Sequence, residues 1–288
     1  MIAENEVALP CLGIAWDGTG FGCDGTIWGG EFFLVTHSSV ERVASFRKFR
    51  LPGAEQAIRE PRRSALGLLC EIFGKEIFAM AELAPIRSFS TAELDVLESI
   101  LQAKKQSPLT SSLGRIFDAV ASILDIRQTI KFESQAAMEL EFATEGVHAN
   151  ETYPFRMSGS DIQRGSFGRG SSYLKNDGPK YTIDWEPMIR GILQDCRRSV
   201  PAGVIAARFH NTIAAMAVAV AGEIGEKRIA LSGGCFQNKY LTERVVSELK
   251  ERGFQPYWHQ RIPTNDGGIS AGQIAAADML LMDQKKEH

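Results

Sequence analysis

An α/β fold is predicted by three features of the 288-residue chain. Strand and helix patterns alternate after residue 180, as they do where helices layer on a sheet. The first fifty residues carry short apolar or alternating runs parted by glycine-rich turns, the signature of β structure. The length suits one large domain or two lobes of roughly 100 to 150 residues, with a cleft possible between them.

The early strand runs fall at residues 11–16, 26–35 and 42–49, with turns supplied by Asp17, Gly18, Thr19, Gly20 and by Asp24, Gly25. From 55 to 73, Ala57, Ile58, Ala65, Leu66, Leu68 and Leu69 recur at helical spacing, and Gly74 ends the helix. Helices also fit 91–103, 113–124 and 135–142. Between 146 and 180, Gly, Ser, Asn and Arg displace the pattern, notably at Ser158, Gly159, Ser160 and across 164–172, so a loop or insertion is expected. Its fragment Gly165, Ser166, Phe167, Gly168, Arg169, Gly170 has no strand feeding it and reads as surface loop, not as a dinucleotide fingerprint. Beyond it come strands at 181–185, 228–231 and 255–259 and helices at 186–196, 202–221, 239–252 and 272–282.

Composition narrows the function classes. Thirty-two Lys and Arg against 35 Asp and Glu give a net charge of −3, which argues against nucleic acid or acidic membranes as partners. Apolar runs such as 213–220 fall short of the ~20 residues of a membrane helix, and Met1 is not followed by a basic then apolar leader, so a cytoplasmic location is expected. The five cysteines, Cys11, Cys23, Cys70, Cys196 and Cys235, are widely spaced and suggest reduced thiols, with neither a disulfide framework nor a zinc knuckle.

Four local features bear on chemistry. The run Leu231, Ser232, Gly233, Gly234, Cys235, Phe236, Gln237, Asn238 joins a buried strand to a helix; its glycines admit a ligand, and amides at the helix start suit phosphate oxygens, although such a turn also needs glycine for geometry alone. Asp17 ends the first strand at a glycine-rich turn, where a carboxylate suits a metal that touches phosphate and where an Asp-Gly hairpin is equally ordinary. Asp266 stands before an apolar helix as a cap or a metal ligand. Arg47, Lys48, Arg50, Arg59, Arg62 and Arg63 surround Leu51, Pro52, Gly53, either as a phosphate clamp or as a solvated face.

Six stretches, in this order, resemble the C-terminal domain of the HypF hydrogenase-maturation carbamoyltransferases: 16–31 (WDGTGFGCDGTIWGGE), 49–63 (FRLPGAEQAIREPRR), 114–121 (GRIFDAVA), 207–211 (ARFHN), 231–238 (LSGGCFQN) and 263–273 (PTNDGGISAGQ). The antibiotic O-carbamoyltransferases and the tRNA threonylcarbamoyl transferase are similar relatives. The resemblance implies a two-lobed, ribonuclease H-like fold shared with actin, sugar kinases and heat-shock ATPases, with the first lobe cut short. It also implies a division into 1–105, on which a C-terminal helix at 268–288 packs, and a nucleotide-binding lobe at 106–267.

The implied reaction moves a carbamoyl group from carbamoyl-adenylate, made from carbamoyl phosphate and ATP, to the C-terminal cysteine thiol of a HypE-type partner. Asp17 and Asp266 are implied metal ligands for a divalent iron or zinc ion. Asp118, Glu133, Ser232, Gly233, Gly234 and Asn238 are implied to line the site for ATP, AMP or the adenylate. Arg63 and His210 are the implied catalytic groups, His210 with no role that the motif assigns. Two departures accompany the resemblance: the chain begins after the family's His-x-x-x-His pair, so metal binding is expected to be poor, and Ser134 stands where the family usually has glycine. A nucleotide-binding fragment without chemistry, or a kinase or ATPase of the same superfamily, remain the alternatives.

Overall fold

A computed structural model describes residues 1–104, 106–159, 174–175 and 178–284. The strands are β1 (Cys11–Phe21), β2 (Ile27–Val35), β3 (Val40–Phe46), β4 (Phe49–Arg50), β5 (Leu109–Thr110), β6 (Arg156–Gly159), β7 (Leu174–Lys175), β8 (Tyr181–Asp184), β9 (Arg228–Ser232) and β10 (Gln255–Tyr257). The helices are α1 (Glu55–Arg59), α2 (Pro61–Phe73), α3 (Ala84–Arg87), α4 (Thr91–Ala103), α5 (Leu113–Ile123), α6 (Gln135–Phe142), α7 (Glu186–Arg197), α8 (Ala202–Ile224), α9 (Lys239–Glu251) and α10 (Ile269–Gln284).

These strands join in one mixed sheet with the path β10-β9-β1-β2-β3-β8-β6. The outer pairs β10/β9 and β9/β1 run parallel, with Leu12 opposite Ile229 and Ile14 opposite Leu231. β1, β2 and β3 form an antiparallel meander, and β8 returns parallel to β3. β1, on the first side of the expected division at 105/106, thus pairs directly with β9 on the second. Both contribute to the same core, in which Trp16, Phe32, Phe46, Phe117, Phe209 and Trp185 are among the largest sealed side chains.

Helix α5 crosses the middle of this core. All eleven of its residues are buried, so neither face is solvated. Ser112 starts it by accepting the Arg115 backbone N–H, and the same hydroxyl lies 2.7 Å from the Asp17 carbonyl, which fastens the helix start to β1.

The single helix expected at 55–73 is two helices. Pro61 disfavours helical backbone at the residue before it, and Glu60 accordingly adopts φ −123° and ψ 87°. The turn expected at Asp17 is likewise absent: β1 runs on to Phe21 through an irregularity between Trp16 and Gly20, and the reversal comes later, where Gly22 donates to the Thr26 carbonyl. The expected irregular segment at 146–180 contains β6 and β7. Its stretch 160–173, with the fragment Gly165 to Gly170 and the whole run 164–172, lies outside the described residues.

One described helix, α8, is long and apolar enough to cross a membrane by length and composition, contrary to the apolar-run count. Its most apolar window is 78% buried inside the fold, against α7 and α9, which makes it a core helix here.

Candidate functional site

The β1 irregularity sets Asp17 beside the far end of β9. Its carboxylate accepts the Gly18 backbone N–H at 2.7 Å and the Gly234 backbone N–H. Burial pushes the Asp17 pKa up, these two donors oppose the rise, and the charges of Asp266 and Glu133 add to it. Residues from three distant segments therefore come together, Asp17, Gly234 and Asp266, with the exposed Glu133 acting on them only through its charge.

Gly233 makes this convergence possible. It adopts φ +102°, and a Cβ there would lie 2.1 Å from the Trp16 carbonyl oxygen, so only glycine lets the turn after β9 press against β1. Its N–H donates to the Thr264 carbonyl at 3.1 Å, and its own carbonyl accepts the Thr264 hydroxyl at 2.9 Å. The loop carrying Asp266 is thereby tied to the turn. Asn265 caps the short 3-10 turn after it, by accepting the Gly267 N–H, so Asp266 is not the cap. The resulting cleft of about 360 Å³ is lined by Asp17, Glu31, Ser232, Gly233, His259 and Asp266, among others.

The glycine amides expected to hold phosphate are engaged within the protein, Gly233 with Thr264 and Gly234 with Asp17. The start of α9 is engaged too: Leu241 N–H donates to the Asn238 side chain and Tyr240 N–H to Glu141. Unsatisfied polar atoms sit instead on α5. Arg115 and Asp118 form an ion pair at 2.9 Å, both nearly sealed, whose alignment leaves Arg115 Nε and Nη1 and Asp118 Oδ2 without a hydrogen bond. Burial, offset in part by Arg115, pushes Asp118 up to about 6. Burial and the nearby Asp17 charge push the Cys235 thiol up, with Arg115 opposing, which places Cys235 by the same pair.

His210 is fully buried. Nδ1 lies 2.7 Å from the Ala206 carbonyl and Nε2 2.9 Å from the Asn238 amide nitrogen, while Phe117, Phe209 and Tyr240 enclose the ring. Burial holds it at about 4, so it is a neutral ring that donates from Nδ1 and accepts at Nε2. It is linked to the turn after β9 through Asn238. Ser134 is exposed at the start of α6 with φ +63°, left-handed backbone that favours the glycine implied there by the resemblance.

The cationic cluster disperses. Arg47 pairs with Asp184 and Glu186, Lys48 with Asp24, Arg50 with the Ser107 carbonyl, and Arg62 with Glu60 and Glu93. Arg63 is held by Glu60 at 3.1 Å, facing Gly53, with only 16% of its side chain exposed. It does not line the cleft around Asp17.

Two networks escaped the sequence reading. Glu31, the acid of WGGE, is 2% exposed and accepts N–H groups from Gly29 and Gly30, the Ser111 hydroxyl and Arg42. Its motif was visible; its partners at 42 and 111 were not. Glu4 binds His259, which reaches Ser232, a set no local spacing reveals.

The donors present do not amount to an iron or zinc site. Asp17 and Asp266 supply carboxylates only, and among the described residues no three His, Cys, Asp or Glu side chains come together as a metal-binding group. The Arg115 Nε donor, buried without a partner, by contrast suits the polar edge of an organic ligand.

Residues 13–273 match a family described as carbamoyltransferase, Kae1-like domain, second subdomain. The chain belongs to the HypF carbamoyltransferase family. Carbamoyltransferase HypF of Synechocystis sp. is 37% identical over 96% of this chain and 35% of its own length, and that of Rhizobium leguminosarum bv. viciae is 33% identical over 99% and 34%. A crystal structure of full-length HypF in the phosphate- and nucleotide-bound form has a TM-score of 0.84 at 36% identity, covering 97% of this chain and 34% of that one. The HypF of T. kodakarensis has 0.80 at 26% identity, over 98% and 35%. The chain thus spans about a third of the length of these relatives. Its mixed α/β fold is that of HypF structures, in keeping with the ribonuclease H-like expectation.

Proposed function

We propose that the cleft between the β1 irregularity and the turn after β9 holds an adenine nucleotide, and that this HypF-family chain transfers a carbamoyl group from carbamoyl-adenylate to the C-terminal cysteine thiol of a HypE-type partner in the cytoplasm. The supporting observation is the buried Arg115–Asp118 ion pair, in which Arg115 Nε has no partner, set beside Asp17 and Cys235. A buried donor without a partner is uncommon in a finished fold, and a nucleotide would supply one for Arg115 Nε. Glu133, Ser232, Gly233 and Gly234 would surround it, with Asn238 anchoring the turn.

In the transfer the thiolate attacks the carbamoyl carbon, the bond to the phosphate oxygen breaks, and AMP leaves. No step runs through a metal, because the two carboxylates do not form a site for one. Arg63 would act only if the Gly53 turn approached the phosphate.

One observation favours a second reading: the engaged glycine amides also suit a nucleotide-binding unit without chemistry. Calorimetry with AMP and ATP tests the part common to both. Saturable binding that Asp118→Asn weakens supports it, and absence of binding by the folded protein removes it.

A further inference from the structure

Ser232, His259 and Glu4 form a line of hydrogen bonds that ends in the cleft. Ser232 Oγ lies 3.1 Å from His259 Nε2, and His259 Nδ1 lies 2.8 Å from Glu4 Oε2. Ser232 and His259 line the same cleft as Asp17 and Asp266. The Glu4 side chain is 1% exposed, and its other oxygen accepts the backbone N–H groups of Gln260, Arg261 and Ile262. Burial pushes Glu4 up, but the donors from Arg261, Gln260, Ile262 and His259 outweigh it and hold the carboxyl at about 2.

A fixed carboxylate at Nδ1 dictates the tautomer. The proton sits on Nδ1, so Nε2 is an acceptor and the Ser232 hydroxyl donates to it. The His259 pKa is lowered by burial first, then by the Met1 amino group, with Glu4 opposing. The charged groups facing the ring are Glu4 and the Met1 amine from the N-terminal segment, and Arg261 on its own loop, which binds the Glu4 carbonyl. Asp17 and Asp266 share the cleft it lines.

Hydroxyl, imidazole and carboxylate stand in the order that activates a nucleophilic serine. Stabilisation of an acyl-serine intermediate would need free backbone donors nearby, and those of Gly233 and Gly234 are engaged by Thr264 and Asp17. The arrangement therefore suits moving a proton better than forming a covalent serine ester.

We propose that Ser232, His259 and Glu4 are the proton acceptor for the thiol in carbamoyl transfer. As the S–C bond forms, the thiol proton passes to Ser232 Oγ while the Ser232 proton passes to His259 Nε2. The C–O bond to the phosphate breaks, its electron pair leaves with AMP, and Glu4 steadies the imidazolium. Ser232 is the catalytic contact, His259 stores the proton, and Glu4 is a positioning residue. The chemistry rests on the carbamoyl-transfer reading of the cleft; the geometry does not.

Nitrogen NMR of the 288-residue protein should show His259 neutral at pH 7 with the proton on Nδ1, and Glu4→Gln should lower its midpoint further. With carbamoyl-adenylate and a peptide ending in cysteine, the wild-type rate should fall as pH drops through that midpoint. His259→Phe and Ser232→Ala should slow kcat by ~10²- to 10⁴-fold, with peptide KM and melting temperature kept, and His259→Phe should lose the inflection. An imidazolium at pH 7, a proton on Nε2, or an active wild type whose rate and pH profile survive His259→Phe would each overturn the relay. A folded wild type that transfers nothing from the adenylate would instead overturn the carbamoyl-transfer reading, and the relay's catalytic role with it.

Discussion

Nε2 of His210 accepts a hydrogen bond from the side-chain amide of Asn238 at 2.9 Å, and the other end of that amide caps α9 at Leu241. Asn238→Ala should therefore cost stability twice, roughly 1 kcal/mol for the cap and a further ~1 kcal/mol for the buried hydrogen bond. His210→Phe keeps the aromatic packing and strands the amide, at about 1 to 3 kcal/mol. In an Asn238→Ala background it should cost much less. A double-mutant cycle by urea denaturation measures the coupling, and additive losses would contradict the shared bond.

Removing Asn238 should also weaken AMP binding by ~1 to 3 kcal/mol if its amide helps hold the nucleotide. Calorimetry on the folded variant checks this, and unchanged affinity takes Asn238 out of the site.

Ser134→Gly should raise stability. A residue with a Cβ loses ~1 to 2 kcal/mol in left-handed backbone, and Ser134 sits there at φ +63°. The gain should be about 1 kcal/mol after the extra freedom of glycine in the unfolded chain is counted. A lower melting temperature in the variant would mean that the serine hydroxyl makes a compensating contact.

Much of the helical framework was legible because it rests on local rules. Helices α4 and α6 have the bounds their spacing predicts, and Ser90 with Glu93 forms a capping box at the start of α4. Pro61 was equally visible, yet the apolar period ran across it and hid the break. The longer-range features were not legible in the same way. Asp17 reads as a turn residue until β9 and α5 pack against it, and Arg62 and Arg63 read as a cationic patch until Glu60 is placed between them. Glu4 and His259 are 255 positions apart and meet only because β10 lies beside β9, which lies beside β1.

The Asp118 carboxyl sets a pH dependence with a definite sign. Its pKa is raised to about 6 in the fold, so the folded protein keeps the proton at pH values where the unfolded chain has lost it. Stability from this group is present at low pH and falls as pH rises from about 4 to 6. Asp118→Asn should flatten that decline in urea titrations across the interval. An equal slope in both proteins would show that Asp118 ionises normally.

Metal affinity should be poor. With Asp17 and Asp266 as carboxylate donors only, iron or zinc should dissociate on gel filtration, and Asp266→Ala should change little in metal content. Elemental analysis finding one tightly held equivalent, lost in Asp266→Ala, would overturn this.

The most direct test of carbamoyl transfer is mass spectrometry of a partner peptide ending in cysteine, incubated with the 288-residue protein and carbamoyl-adenylate. The account predicts a thiocarbamate on that cysteine with release of AMP, and none when carbamoyl phosphate and ATP replace the adenylate. An unmodified peptide beside folded, AMP-binding protein, or ADP as the product, would contradict it.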